Sequence, residues 1–204
     1  MLLRDIWAAT LVVSSLAAAS PLNESHLDEA DGEATIAQAT ITAVYGKDDR
    51  KEIYEMGHPV AKQAISSLVM LTDQSNVTKT ADGDFTIEGV HYGESLNLCK
   101  SEPFYDQPRL GFCSGVLIGE KTVLTAGHCI TSEKDCSDTR LVFDMHYNEH
   151  DDLDLTIPAK RVRSCKRIIK RFNRNSGLDF AILELDKAVT DRRPVPLGAG
   201  IRNP

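Results

Sequence analysis

No stretch of this 204-residue sequence is apolar for long enough to cross a membrane as a helix. The best candidate, "IWAATLVVSSL" at residues 6–16, is well short of the roughly 20 apolar residues that a span needs. There is no C-x-x-C pair, which argues against a zinc site. There is no positive excess either. The net charge is −7, which argues against a dedicated nucleic-acid binder. Internal repeats and low-complexity tracts are absent, and aromatic residues are few at 6%, with a single tryptophan, Trp7. What remains is large enough to bury a substantial core in one domain with appendages.

The beginning has the pattern of a secretory leader. Arg4 supplies the positive start, residues 6–16 the short apolar run, and Ala17-Ala18-Ala19 the small residues before cleavage after Ala19. Asp5 weakens that pattern, and a buried N-terminal helix is the alternative. Residues 20–43 hold five acids and no Lys or Arg, with too few large apolar side chains to pack a core. They read as a linker or propeptide. Residues 44–204 then carry 24 acids and 22 bases, a balance of about −2. The expected product is soluble, exported and outside the membrane. Export makes the five cysteines informative, because disulfides persist in oxidising compartments. They are Cys99, Cys113, Cys129, Cys136 and Cys165, and an odd number leaves one without a partner inside the chain.

From Val44 onward the pattern is one of short strands rather than helices. "ISSLVMLT" is followed by "VTKTADGDFTIEGV", in which Asp82-Gly83 predicts a hairpin turn, because both residues tolerate positive φ. "FCSGVLIG" and "KTVLTAG" are joined by a short polar link at Glu120. "RLVFDMHY", "RVRSCKRII" and "LDFAILEL" complete the set. Six or seven strands at this spacing predict an all-β barrel or sandwich.

Chemistry concentrates in "LTAGHC". A histidine at a strand end serves as a general base if something orients its ring. If the strands flanking Cys113 and Cys129 are antiparallel, a bridge between those cysteines closes the unit and fixes His128. The orienting group is expected at Asp179, an acid at the mouth of the apolar strand "FAILEL". Partly buried there, it needs a hydrogen-bond partner, and an imidazole N–H fits. Asp186, at the other end of that strand, reads as a surface charge.

"GFCSGVLIGEKTVLTAGHC", followed some fifty residues later by "DFAILELD", resembles the first half of a trypsin-like, chymotrypsin-fold serine protease. The resemblance spans about residues 44–204. It implies a six-stranded antiparallel Greek-key β-barrel, the first of two such barrels. It also implies His128 as the general base, Asp179 as its partner, a Cys113–Cys129 disulfide, and a protein or peptide substrate; from the residues themselves no cofactor or metal is expected. "AVYGKDDRKEIYE" is similar to the mature start of the bacterial glutamyl endopeptidase branch. That likeness implies processing between Ala43 and Val44 and a zymogen. A charged turn before a strand is the other reading of the same run.

The same family presents its nucleophile in a Gly-Asp/Asn-Ser-Gly loop, and no such loop occurs here. Ser114 aligns with the strand before the histidine, and Ser176 sits in the turn leading into the Asp179 strand. No serine follows Asp179. The expectation is a single barrel whose nucleophile, oxyanion donors and specificity pocket belong to a second, C-terminal barrel, leaving this polypeptide inactive alone. A protease homologue that keeps the barrel for protein contacts is the alternative.

Three further features carry weaker signals. Residues 159–175 hold eight Lys/Arg. They read as a solvated strand face with Val162, Ile168 and Ile169 turned inward, in preference to a polyanion site. The run at 144–156, with His146, His150, Asp151, Asp152 and Asp154, matches no recognisable hard-cation loop. Asn23-Glu24-Ser25 and Asn76-Val77-Thr78 are glycosylation sequons, which matter only in a host that uses them.

Overall fold

A computed structural model describes residue 48 and residues 50–59, 64–173 and 177–198. The expected leader, the acidic segment and the Ala43–Val44 junction lie outside the described residues, as do Ser176 and Asn23. Near the start of the described chain, the Asp48 carboxylate pairs with Arg50 at 2.6 Å.

Eleven strands occur among the described residues: β1 (Leu68–Asp73), β2 (Val77–Lys79), β3 (Phe85–Ile87), β4 (Val90–His91), β5 (Pro108–Arg109), β6 (Cys113–Gly119), β7 (Thr122–Thr125), β8 (Thr139–Phe143), β9 (Thr156–Ile157), β10 (Val162–Asn173) and β11 (Asp179–Leu185). Fully described α-helices are α1 (Tyr92–Ser95) and α2 (Glu133–Asp138), and single 3-10 turns lie at Ile53–Glu55, Gln74–Asn76 and Ala159–Arg161. Six strands close into a barrel in the order β1-β6-β7-β11-β10-β8, with β8 returning to β1. All neighbours are antiparallel. β7 bypasses β8 and β10 to pair with β11, which makes the barrel a Greek key. Closure leaves the barrel no free sheet edge, so each of its six strands pairs on both sides.

All six barrel strands lie on the runs singled out in the sequence. Alternation builds the core. Along β11, Ala181, Leu183 and Leu185 are buried while Phe180, Ile182 and Glu184 are only half-buried. Val69, Leu71, Leu117, Val123, Leu141 and Phe143 meet them inside the barrel. Each fully buried Leu or Phe side chain contributes roughly 1.5–3 kcal/mol relative to exposure. The Asp82-Gly83 turn is present between β2 and β3, with Gly83 at φ +92°. β3 also pairs with β9, making a small sheet outside the barrel. Among the described residues no helix is long and apolar enough to cross a membrane.

One inward assignment is corrected. Ile169 is 43% exposed, whereas Val162 is buried and Ile168 packs against the core. The pairing of β10 with β11 slips between Cys165 and Arg167 and again between Ile168 and Lys170. Successive side chains of a strand point to opposite faces, so the adjacent Ile168 and Ile169 divide between core and solvent. Within the basic run, Lys166 and Arg167 share Glu184, and Arg161 pairs with Asp144.

Candidate active site

Local chemistry at the end of β7 holds "TAGHC" in place. The Thr125 hydroxyl donates to the Ser114 carbonyl at 2.7 Å, fixing the end of β7 against the start of β6. The chain then turns, with the Cys129 amide donating to the Ala126 carbonyl at 3.2 Å. Cys129 is bonded to Cys113 at the head of β6, and Ile130 is fully buried immediately after it. His128 is therefore framed by a disulfide on one side and by the strand on the other. Gly127 has a separate reason to be glycine. A Cβ there would lie 2.0 Å from the Phe172 carbonyl oxygen and 2.9 Å from that of Phe180. Only a residue without a side chain lets this turn sit so close to β10 and β11.

Asp179 is the first residue of β11. Its carboxylate meets His128 twice. Oδ2 is 2.6 Å from the ring Nδ1, and Oδ1 accepts the backbone N–H of His128 at 2.9 Å. The hydrogen bond with the His128 side chain, aided by backbone N–H donors at His128 and Gly127, holds the Asp179 carboxyl below its ordinary value against a smaller opposing effect of burial. An ionised Asp179 only accepts, so the 2.6 Å contact places the imidazole proton on Nδ1 and leaves Nε2 free to accept another. The Asp179 carboxylate is only partly covered, in keeping with its place at the mouth of the strand. Its side chain is 40% exposed and that of His128 63%. Asp179 is at the start of β11 and His128 three residues beyond the end of β7, so both lie at one end of the barrel.

The sulfurs of Cys113 and Cys129 and a His128 ring nitrogen lie within 4.8 Å of one another. Joined as a disulfide, those sulfurs are not thiolates and offer no metal ligand. Several groups of the run at 144–156 are engaged locally. Asp154 accepts the Thr156 amide, His150 pairs with Asp151, and His146 contacts the Tyr147 carbonyl. Asp186 is exposed and accepts the Ser164 amide. Asn76 is half-buried, with its side-chain amide donating to the Thr72 hydroxyl at 3.3 Å.

Sequence reasoning left three features of this region open. Cys136 and Cys165 are bonded, tying α2 to β10, and Cys99 is the free, exposed cysteine. Arg171 on β10 donates its Nε–H to the Gly127 carbonyl at 2.7 Å. Arg192, beyond β11, makes a two-pronged pair with Asp144 at 2.7 and 2.9 Å. No local pattern marks these contacts, which span 29, 44 and 48 residues.

The trypsin family matches residues 103–200, a segment that includes both His128 and Asp179. No curated protein matches the sequence. Among solved structures, the chain is similar to the VesB protease of Vibrio cholerae, at 19% identity with a TM-score of 0.35, over 65% of this chain and 30% of that one. It is similar also to VesC, a secreted serine protease of Vibrio cholerae, at 19% identity with a TM-score of 0.36, over 65% of this chain and 21% of that one. The chain thus spans less than a third of the length of either, and likenesses this slight do not bear on its activity. The segment matched by the trypsin family, residues 103–200, thus carries five of the six strands of a closed antiparallel Greek-key barrel together with the His128–Asp179 pair.

Proposed function

We propose that the chain carries the general-base half of an exported serine endopeptidase acting on protein or peptide substrates. The observation that supports this best is the doubly bonded pair of His128 and Asp179 across two barrel strands. In this reading His128 takes the proton of an attacking hydroxyl on Nε2. Asp179 keeps the Nδ1–H tautomer and stabilises the imidazolium that forms. The proton then passes from Nε2 to the leaving amine. Two disulfides in the barrel support an oxidising compartment, outside the cytosol.

The hydroxyl and the oxyanion donors come from a second, C-terminal barrel, because the sequence contains no Gly-Asp/Asn-Ser-Gly loop. Residues 1–19 are the signal peptide and residues 20–43 the propeptide, removed between Ala43 and Val44 when the zymogen matures. Residues 44–204 form the first barrel.

Two measurements test the reading. The 204-residue chain, purified alone, is expected to show no labelling by a fluorophosphonate, since loss of the nucleophile removes most triad-dependent rate. Stoichiometric labelling would overturn the two-barrel assignment. Sequencing of the host gene past codon 204 is expected to reveal a Gly-Asp/Asn-Ser-Gly loop, in frame or one base out of frame. Unrelated sequence there would replace the enzyme with a non-catalytic binding module. Protein recovered from the host medium should begin at Val44.

A further inference from the structure

The peptide group joining Gly127 to His128 is held at both ends by charged side chains from different strands. Its N–H donates to Asp179 Oδ1 at 2.9 Å, from the start of β11. Its C=O accepts from Arg171 Nε at 2.7 Å, from near the end of β10. A peptide unit is planar and rigid, so fixing its oxygen fixes the direction of its N–H. A cation at the oxygen and an anion at the N–H both align with the peptide dipole, and such chains of hydrogen bonds strengthen one another.

The register explains how Arg171 reaches this carbonyl. Arg171 stands opposite Ala181 on β11, and Ala181 stands opposite Thr125 on β7, two residues before Gly127. Three adjacent strands therefore bring the guanidinium, the turn and the carboxylate to one end of the barrel. The missing Cβ at Gly127 lets the turn approach, since the Phe172 carbonyl occupies the place that a side chain would need. Arg171 is suited to the task. Its guanidinium stays charged, and its planar fork loses little freedom in making a directed bond.

We propose that Arg171 is a positioning residue for the His128–Asp179 pair. Through the Gly127 carbonyl it orients the peptide whose N–H holds the carboxylate, and so sets the ring's approach to Asp179. The inference rests on the reading of that pair as a general base, but its test does not need the nucleophile.

The experiment uses the 204-residue chain and two variants, Arg171→Met and Arg171→Lys, followed by amide hydrogen exchange in NMR. In Arg171→Met the His128 amide is expected to exchange at least about tenfold faster, the factor that one lost charge-assisted hydrogen bond carries. The amides of Val123 and Leu124 on β7 serve as internal controls and should keep their rates. Arg171→Lys, which retains a cationic donor, should recover part of the His128 protection. A His128 amide unchanged in Arg171→Met would overturn the proposal. So would acceleration shared equally by Val123 and Leu124, which would mark a general loss of stability. If Arg171→Met does not fold, Arg171→Lys decides alone: a partial loss of protection at His128 that Val123 and Leu124 do not share supports the role, and His128 protection unchanged from the parent overturns it. A selective effect at His128 together with an unrelated gene sequence past codon 204 would leave the positioning role standing and remove the enzyme reading.

Discussion

Asp179 shows how a single residue ties acid sensitivity to the geometry of the site. Its folded-state affinity for protons is lowered, chiefly by the hydrogen bond with the His128 side chain. A carboxyl of this kind stabilises the fold at any pH above its unfolded value of about 3.9. That contribution is lost as pH falls through the lower, folded value. The urea midpoint of the parent chain should therefore exceed that of Asp179→Asn at neutral pH, and the gap should close as the solution is acidified through the carboxylate range. A gap that persists undiminished to about pH 2 would contradict the assignment of Asp179 as the ionised partner. The identity of both residues was legible in "TAGHC" and "LDFAILEL", because each sits where a strand ends and an isolated polar group has a purpose. The exposure of His128 was not legible. Burial depends on what covers the rim, and that is a property of distant chain.

At the scale of elements, the two disulfides work on different parts of the barrel. Cys113–Cys129 encloses the β6–β7 hairpin with a sequence separation of 16. Cys136–Cys165 spans 29 residues and fastens α2 against β10. Both Cys136 and Cys165 are buried among the core residues. Closing a loop of that length restricts the unfolded chain by roughly 3–4 kcal/mol in the loop-entropy account. Replacing both Cys136 and Cys165 with serine should lower unfolding free energy in denaturant by about 3 kcal/mol. A change below about 0.5 kcal/mol would show that α2 holds its place without the bond. α2 has its own means of folding: Ser132 accepts the Asp135 amide, and Asp135 in turn binds the Thr131 and Ser132 amides and the Thr131 hydroxyl. The strands themselves followed from alternation in the sequence, as β11 illustrates. The second pairing did not follow, since three cysteines outside "GFCSG…TAGHC" allow more than one partner and only the barrel decides which two meet.

Across the whole barrel, the segment after β11 is bound down by Arg192. Its side chain is only 7% exposed. It pairs with Asp144 and Asp191, donates to the Ser66 carbonyl, and lies 4.7 Å over the Phe143 ring. Burial opposes its charge, but the hydrogen bonds with Asp191 and Asp144 outweigh that, and the guanidinium binds its proton more tightly than usual. The Val189 and Val195 amides add bonds to the Glu120 and Leu117 carbonyls. Removing one member of a buried pair strands the other. Arg192→Met should therefore cost about 3 kcal/mol, at the low end of the range because Arg161 still reaches Asp144. The double variant Arg192→Met with Asp144→Leu should recover part of that loss, and no recovery would mean that the ring contact and the Ser66 bond carry the energy. Alternating side chains and turn residues, read from the sequence alone, determined that this protein is built of six or seven short strands in a barrel or sandwich and marked His128 and Asp179 as its chemically distinctive residues, and the resemblance to trypsin-like proteases narrowed this to a six-stranded barrel. These are short-range signals, written within a few residues of one another. Only the tertiary structure decided that Arg171 reaches the peptide before His128, that Cys136 takes Cys165, and that Arg192 meets Asp144. Those contacts join residues far apart in the chain, and strand register, which closure of the barrel sets, is what brings them within bonding distance.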